Sequence, residues 1–440
     1  MQSAVIKNDS MRAAALQNGL GSSQALSVAT PNGPIRLIGG TRYLARQPIL
    51  DLRGQIHGYE LLYRNGPEAA FRGDGDLASC TMLDNTVLFG LEMFTGRSLA
   101  FINCTSRMLT ENLVSILPQS ATTLEILETV EPTPDLADAC RKLKALGFRL
   151  ALDDFVWAPS FVPFVELADY IKVDFMLTDA AGRKDLIRKL KGKKVSLLAE
   201  KVETKEEYEQ ACSEGFTLFQ GYYFCRPELV KNRKIPSNQL CHFDILRLLQ
   251  ADPVDISKLS NAVKRDESLT YRILRMVNSV GYAIRQEIDS VRSALRILGE
   301  DAFRRIIVLA IAAEFNTGRP PEILRMAMIR ARFCEVASEL LSLCSTEQYL
   351  LGMFSLLPAM LGSPMDELTP ALPVRREIRE ALEGQVNPEG RLLGWLKGHE
   401  CGDWAACDSI IRSCELDQER LSEIYIEAVL GANSEFTAAA

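Results

Sequence analysis

The sequence contains few histidines. Of its 440 residues only three are His, namely His57, His242 and His399, and none of them is followed by Asp. A hydrolytic metal centre built on an adjacent His-Asp pair is therefore excluded. The 11 cysteines include no Cys-x-x-Cys spacing, which argues against a zinc ribbon or a thioredoxin-like redox motif. An odd number of cysteines without a pairing pattern is typical of the reducing cytosol, so we expect a cytoplasmic protein.

Long apolar runs and basic patches are also missing. No stretch of 18 or more apolar residues occurs, so we expect no transmembrane helix and no membrane partner. The net charge is −7, and the one basic run, at residues 183–194, is read as a solvated helix face. Because nucleic-acid binding usually needs a basic domain or stripe, we expect no DNA partner. The first 40 residues lack the apolar core of a signal peptide.

The length and the hydrophobic pattern predict two domains. We interpret residues 1–40 as a disordered tail, 41–230 as a domain of alternating strands and helices, 231–241 as a linker, 242–430 as an all-helical domain and 431–440 as a second tail. About eight strands alternating with helices favour a closed, TIM-like α/β barrel over an open sheet. The predicted strands are Leu44–Leu50, Ile56–Tyr63, Leu99–Cys104, Thr123–Leu127, Arg149–Asp154, Tyr170–Val173, Val195–Glu200 and Thr217–Phe224.

Polar side chains stand at the ends of these predicted strands. In a β/α barrel the C-terminal strand ends converge on one face, so side chains far apart in sequence would share a pocket. Carboxylates, amides and one lysine suit Mg²⁺ or Mn²⁺ and a phosphate ester better than zinc. The residues concerned are Glu60, Asn103, Glu125, Asp153, Asp154, Lys172, Glu200 and Gln220.

Residues 43–230 resemble an EAL domain, the family that hydrolyses the bacterial second messenger cyclic di-GMP. Eight stretches carry this resemblance, in the right order along the domain. They are Gln47-Pro-Ile, Glu60-Leu-Leu-Tyr-Arg64, Phe101-Ile-Asn103, Leu124-Glu125-Ile-Leu-Glu128, Asp153-Asp154-Phe155, Ile171-Lys172-Val-Asp174, Ala199-Glu200-Lys-Val-Glu203-Thr and Gln220-Gly-Tyr222 with Arg226-Pro227. The resemblance implies a barrel that binds cyclic di-GMP and hydrolyses it to linear pGpG with a divalent metal.

Residues 242–430 resemble an HDOD domain, a helical module related to the HD phosphohydrolases. The stretch from Asp266 to Ser279 carries this resemblance, and residues 290–299 continue it. Since the chain has no His-Asp pair, this half cannot catalyse the metal-dependent hydrolysis of the HD phosphohydrolases. We therefore expect it to regulate the barrel or to bind a protein partner. The two modules in this order resemble bacterial EAL–HDOD signalling proteins, and a homodimer is left open.

Hydrolysis of a phosphodiester needs a nucleophilic water and neutralisation of the phosphoryl charge, which two divalent ions roughly 3.5–4 Å apart provide. Glu60, Asn103, Glu125 and Asp153 offer oxygen ligands for a first ion, and Asp154 is placed to reach a second. Lys172 supplies a fixed positive charge. The resemblance implies further roles. Glu200 acts as a base or orients the water, Glu203 and Gln220 support the site, Arg64 holds a substrate phosphate, and Gln47 and Tyr222 bind substrate or only pack.

The loop after the Asp pair departs from the family pattern. The family has a Gly-, Thr- and Ser-rich loop there, whereas residues 156–163 include Trp157, Pro159 and Pro163, which stiffen the backbone. Three hypotheses follow. The leading one is a phosphodiesterase, the second is a non-catalytic receptor for the same nucleotide, and the third is a scaffold that binds no nucleotide.

Overall fold

The computed structural model describes the backbone of residues 26–30, 33–37, 42–65, 91–221, 237–249, 255–279, 288 and 290–439. Contacts divide the chain into two compact units, residues 1–42 and 43–440. The first unit contains an antiparallel pair of strands, β1 (Leu26–Thr30) and β2 (Gly33–Leu37). Both strands lie within residues 1–40, which the sequence analysis interprets as a tail.

The second unit contains a closed barrel of eight strands in the order β10-β3-β4-β5-β6-β7-β8-β9. Strands β4 to β10 run parallel, and β3 pairs antiparallel with β10. All eight predicted strands are present, which confirms the TIM-like barrel. Their bounds are β3 Arg42–Asp51, β4 Ile56–Asn65, β5 Leu99–Cys104, β6 Thr122–Ile126, β7 Arg149–Leu152, β8 Tyr170–Asp174, β9 Ser196–Glu200 and β10 Leu218–Phe219.

Helices connect the strands of the barrel. Thr204 caps the helix that follows β9 in a reciprocal capping box with Glu207, and Gly215 ends that helix at φ +96°. The helices of the barrel are α1 Leu91–Thr95, α2 Ser106–Thr110, α3 Pro134–Ala145, α4 Val162–Val165, α5 Ala180–Leu190 and α6 Lys205–Glu214.

The described residues from 237 to 439 are mainly helical, which confirms the predicted all-helical domain. Asp255 and Ser290 cap two of these helices. The helices are α7 Ser237–Leu249, α8 Ile256–Lys264, α9 Glu267–Ser279, α10 Val291–Leu298, α11 Glu300–Phe315, α12 Pro321–Ala337, α13 Ser345–Phe354, α14 Leu357–Leu361, α15 Met365–Leu368, α16 Arg376–Leu382, α17 Pro388–Cys401, α18 Trp404–Cys414 and α19 Gln418–Ala439.

Two predicted boundaries differ from the structure. Helix α7 begins at Ser237, inside the expected linker at 231–241, and α19 continues to Ala439, through the expected tail at 431–440. Among the helices that the structure describes, none combines the length and the apolar character that crossing a bilayer requires. The nine cysteines at positions with described side chains are all free thiols.

Each half is built around its own apolar interior. The barrel core joins the strands to their covering helices through residues such as Ile102, Leu124 and Ile171, none of which has exposed surface. A larger cluster fills the helical half, where Trp395 stacks on Phe333 with ring centroids 5.2 Å apart. Burial of this apolar surface is the main source of stability in both halves.

Candidate active site

Six of the eight polar residues predicted at the C-terminal strand ends line one pocket of about 520 Å³, namely Glu60, Asn103, Asp153, Asp154, Glu200 and Gln220. The other two, Glu125 and Lys172, are fully buried next to them. Because successive side chains of a strand point to opposite faces, Glu60 of β4 points into the barrel while its neighbour Tyr59 points out. Asn103 lies on β5, Glu125 on β6, Lys172 on β8 and Glu200 on β9. Asp153, Asp154 and Gln220 directly follow the last residues of β7 and β10.

Lys172 is buried among the carboxylates next to this pocket. Its side chain has no exposed surface, and its Nζ atom pairs with four carboxylates, which are themselves at most 13 % exposed. The distances from Nζ are 2.7 Å to Asp153 Oδ1, 2.9 Å to Glu125 Oε1, 3.0 Å to Glu200 Oε1 and 3.1 Å to Glu60 Oε2. If every group were ionised, four negative charges would face one positive charge in a dry environment.

Amide groups fix the orientation of Glu60. Gln220 Nε2 donates to Glu60 Oε2 at 2.7 Å, and Asn103 Nδ2 donates to Glu60 Oε1 at 3.1 Å. The same Gln220 Nε2 also donates to Gln47 Oε1 at 2.6 Å. Gln47 therefore contacts the site through Gln220, and both side chains lie in the pocket wall.

Burial, the charge of Lys172 and the neighbouring carboxylates shift the pKa values of the carboxyl groups. Burial raises the pKa of Glu200 to about 8, although Lys172 opposes this effect. Burial also raises the pKa of Glu125 and of Asp153, with Lys172 again the main opposing charge. At Glu60 the effects that lower the pKa are larger than the effect of burial. Burial acts to raise its pKa, but the charge of Lys172 and hydrogen bonds led by that from Gln220 outweigh it, so the pKa is lowered.

Several oxygens of the pocket are buried without a hydrogen-bond partner. They are Asn103 Oδ1, Glu125 Oε2, Asp154 Oδ1 and Gln220 Oε1. Buried acceptors that make no hydrogen bond cost free energy, so oxygens of this kind are suited to binding a ligand. Because Mg²⁺ and Mn²⁺ prefer carboxylate and amide oxygens, the residues present fit a divalent cation.

A second acidic group surrounds Asp154. Its backbone is in the left-handed region at φ +40°, as is Lys201 at φ +53°, a conformation that costs non-glycine residues free energy and often marks functional sites. Burial raises the pKa of Asp154, and Asp174 and Glu128 add to that rise while Lys201 opposes it. Lys201 also forms an ion pair with the buried Asp174.

Asp174, Lys201 and Glu128 stand within the motifs that carry the EAL resemblance, but that resemblance gave them no role. The structure brings them together with Asp154 because β8 and β9 are adjacent in the barrel. Asp174 also accepts backbone hydrogen bonds from Met176 at 2.6 Å and Leu177 at 3.0 Å, which shape the loop after β8. The feature of the sequence that could have identified these three residues is their position at the ends of predicted strands.

Three further predicted residues remain, Glu203, Arg64 and Tyr222. Glu203 lines the pocket, and its backbone N–H donates to Glu207 Oε2 at 2.8 Å as part of the α6 cap. Arg64 belongs to β4, but its side chain lies outside the described residues, as does the whole of Tyr222. Their predicted roles therefore stay predictions.

The stiffened loop after Asp154 packs on the barrel itself. Residues Pro159–Phe161 form a 3-10 turn that leads into α4. The ring of Phe161 lies 5.6 Å from that of Phe155 and 6.0 Å from that of Phe164. This aromatic cluster and the two prolines hold the loop in one conformation.

In the helical half, His242 and Asp266 are paired in space although they are not adjacent in sequence. His242 Nε2 lies 2.8 Å from Asp266 Oδ2, and Asp266 Oδ1 accepts from the backbone N–H of Leu269 at the start of α9. This pair ties α7 to α9. It does not form the multi-histidine centre of an HD phosphohydrolase, because Cys241 and Asp266 are the only other metal-ligand side chains grouped with His242 among the described residues.

The fold and the site define a TIM-like barrel with an acid-rich, lysine-centred pocket, joined to an all-helical domain. Comparison with known proteins gives the same division. A family model described as the EAL domain matches residues 94–227, and one described as the HDOD domain matches residues 235–353.

Two curated proteins are similar over nearly the whole chain. Cyclic di-GMP phosphodiesterase CdgJ from Vibrio cholerae is 34% identical over 395 residues, which cover 88% of this chain and 91% of CdgJ. Uncharacterized protein YuxH from Bacillus subtilis is 33% identical over 398 residues, which cover 88% of this chain and 97% of YuxH. The chain therefore belongs to the family of proteins that join an EAL domain to an HDOD domain.

Solved structures are more distant. An EAL domain protein from Listeria monocytogenes is 22% identical, with a TM-score of 0.36, and the match covers 42% of this chain and 87% of that one. Similarity at this level supports no conclusion about function.

Proposed function

We propose that the barrel binds cyclic di-GMP and hydrolyses one of its phosphodiester bonds, which gives linear pGpG. The observation that carries the proposal is the cluster of Glu60, Glu125, Asp153 and Glu200 around Lys172, in a pocket at the C-terminal ends of the strands. The similarity to a protein named cyclic di-GMP phosphodiesterase supports the choice of substrate.

Mg²⁺ or Mn²⁺ is the proposed cofactor. Glu60, Asn103, Glu125 and Asp153 would hold a first ion, and Asp154 would reach a second. Such ions supply positive charge against phosphoryl oxygens and make water easier to deprotonate. The unpartnered oxygens of Asn103, Glu125 and Asp154 support this assignment.

The chain's own groups would handle the proton and the charge. The Glu200 carboxylate, which lies 3.0 Å from Lys172 Nζ, would take a proton from the attacking water or orient that water. As the water oxygen bonds to phosphorus, the P–O3′ bond breaks and the 3′ oxygen gains a proton. Lys172 holds the carboxylates in place and adds positive charge next to the phosphate. Glu203 and Gln220 would support the site, and Gln47, Arg64 and Tyr222 would contact the substrate.

The first test is an assay of the purified full chain with cyclic di-GMP and Mn²⁺ or Mg²⁺, in which linear pGpG is quantified by chromatography. We expect product from the native chain and at least a hundredfold less from Glu60→Gln, since loss of one preorganised charge in such a site costs on the order of 10²–10³ in rate. Glu131→Gln is the matched control, because Glu131 is an exposed carboxylate beyond the end of β6. Equal rates for native chain and Glu60→Gln would refute the assignment of the site.

A second candidate is a receptor that binds the nucleotide without turnover. The observation that favours it is the loop at residues 156–163, which is held by two prolines and by the rings of Phe155, Phe161 and Phe164. Nucleotide binding by calorimetry, together with no pGpG in either metal, would establish the receptor and set the phosphodiesterase aside.

The helical half is proposed to regulate the barrel or to bind a protein partner in the cytoplasm. This role is supported by the absence of an adjacent His-Asp pair from the sequence and by the use of His242 and Asp266 in an interhelical contact. Gel filtration with a multi-angle scattering detector would decide between monomer and homodimer.

A further inference from the structure

The pocket of the barrel is partly walled by the helical half. Besides the barrel residues, Met326 of α12 and Glu400 and Cys401 of α17 line it. Met326 and Cys401 are partly exposed, and Glu400 is 7 % exposed. Residues more than 260 positions away from Glu60 in sequence therefore share its cavity.

Helix α12 is attached directly next to a site residue. Tyr59 precedes Glu60 on β4 and, by strand alternation, points out of the barrel. Its hydroxyl donates to Glu322 Oε2 at 2.9 Å and accepts from Arg325 Nη1 at 2.9 Å. Both partners lie on α12, one turn or less before Met326, so the contact with Tyr59 fixes the position of Met326 relative to Glu60.

On the neighbouring strand β3, a residue next to a pocket residue also contacts α12. Arg46 precedes Gln47 on β3, and its guanidinium lies 4.5 Å from the centre of the Tyr59 ring and 3.9 Å from Glu322 Oε1. It donates to the carbonyl oxygen of Phe94 at 2.5 Å. Arg46 Nη2 is buried without a hydrogen-bond partner, and Arg46 itself borders the pocket.

The C-terminal end of α17 is also held in place by contacts with its neighbours. His399 Nε2 lies 3.1 Å from the carbonyl oxygen of Leu44 on β3. Arg330 holds Glu400 through both carboxylate oxygens, with distances of 2.6 Å to Oε2 from Nη2 and 3.1 Å to Oε1 from Nε. At Gly402 an added Cβ would come within 3.0 Å of Leu62 Cδ1. The wall formed by Met326, Glu400 and Cys401 is thus part of a rigid joint between the halves.

We propose that this wall is a part of the nucleotide site, in which Met326 packs on a purine face and the Glu400 edge faces the N–H groups of the base. The proposal rests on the function proposed above. A purine offers a flat apolar face and, in guanine, adjacent N–H donors on one edge. A thioether packs well on an aromatic face, and a carboxylate held in place accepts from such donors. The helical half would then be required for tight binding.

The first test measures binding, so that it does not depend on turnover. The full chain with Mn²⁺ is titrated calorimetrically with a phosphorothioate analogue of cyclic di-GMP, whose linkages resist hydrolysis. We expect Met326→Ala to raise the Kd of the analogue about tenfold, since three heavy atoms of apolar contact are lost. Met326→Leu should stay within about twofold of the native Kd, because it conserves that contact.

Met328→Ala is the matched control. Met328 lies two residues further along α12, is 3 % exposed and belongs to the helical core. It should lower the melting temperature but leave the Kd of the analogue unchanged. If Met326→Ala also lowers the melting temperature and leaves the Kd unchanged, its role is structural and the proposal is overturned.

A second test uses Cys401 as a reporter in the native chain. Alkylation by iodoacetamide is followed by peptide mass spectrometry, with and without the analogue. We expect the analogue to slow alkylation of Cys401 at least fivefold and to leave that of the exposed Cys344 unchanged. Binding of the analogue without protection of Cys401 would overturn the proposal but not the proposed function. A native chain that does not bind the analogue would refute both, and one that binds but gives no pGpG from cyclic di-GMP would refute only the hydrolysis.

Discussion

Lys172 shows how strongly a few residues depend on one another in the barrel. A lysine without exposed surface normally has a lowered pKa, because burial disfavours the ammonium form. Burial acts in that direction here too, but Glu125, Glu200, Glu60 and Asp153 outweigh it and raise the pKa of Lys172. The ammonium group thus stays charged because of the carboxylates, and in turn limits the repulsion among them.

We therefore predict that Lys172→Met destabilises the protein by about 3–5 kcal/mol, because it leaves buried carboxylates without a counter-charge. Denaturant unfolding of the metal-free protein measures this free energy. Lys193→Met is the control. Its partner Glu166 is 58 % exposed and Lys193 itself 38 %, so that pair should contribute less than about 1 kcal/mol. Similar losses in the two variants would contradict the prediction.

His399 gives the protein a defined response to acid. Burial lowers its pKa to about 4, from 6.5, although the contact with Leu44 opposes this effect. Between these two values the unfolded chain binds a proton that the folded chain does not. The contribution of neutral His399 is fully present above pH 6.5 and decreases as the pH falls toward 4.

On lowering the pH from 7 to 5 we expect this residue alone to reduce the free energy of unfolding by about 2 kcal/mol. Urea unfolding of the native chain and of His399→Gln at both pH values is the measurement. Glutamine does not titrate and keeps a donor for Leu44, so the variant should lose less stability on acidification than the native chain. Equal losses would show that other groups account for the acid response.

At the scale of elements, the turn between β3 and β4 does more than reverse the chain. Gly54 N donates to the carbonyl oxygen of Asp51 at 2.9 Å, and Gly54 has φ +69°. A Cβ atom at this position would come within 2.9 Å of Pro320 Cγ, at the start of α12. The turn between β3 and β4 thus also lies against the helical half.

Gly96 permits a matched comparison. It has φ +62°, and an added Cβ would meet nothing within 4 Å. Gly96→Ala should cost about 1 kcal/mol through its backbone alone. Gly54→Ala should cost about 1 kcal/mol more, because it also pushes against Pro320. Thermal unfolding of both variants gives the difference, and equal melting temperatures would mean that the contact with Pro320 adapts without cost.

At the scale of the whole molecule, Glu322 joins the halves. It is 3 % exposed, accepts from Tyr59 of the barrel, and lies near Arg46 and Arg325. Burying these groups is costly in itself, so the network contributes specificity to the joint more than stability. Removal of one member leaves the others buried without a partner.

We expect the compact unit of residues 43–440 to unfold in one calorimetric transition in the native chain. Glu322→Ala should lower the free energy of unfolding by about 3–5 kcal/mol and separate the barrel from the helical half, which gives two transitions. The control is Glu339→Ala, since Glu339 is exposed just after α12. A single transition in Glu322→Ala would show that other contacts couple the halves.

The sequence by itself determined the barrel, the helical half and the membership of the site. Alternating apolar strands require a sheet whose faces are covered, and Glu60, Asn103, Glu125, Lys172 and Glu200 stand where such strands end. Those assignments needed only local pattern and strand order. The elements β1, β2, α7 and α19 lie in or run through the segments that the local pattern assigns to tails and linker. The pattern is weak in such segments, and their structure depends on what they pack against.

Only the tertiary structure decided how the site is completed. That Asp174 and Lys201 flank Asp154 depends on the adjacency of β8 and β9. That Met326 and Glu400 share the cavity of Glu60 depends on the packing of α12 and α17 against β3 and β4. Contacts between residues hundreds of positions apart are set by the complementarity of two folded surfaces, and no periodicity within either segment encodes them.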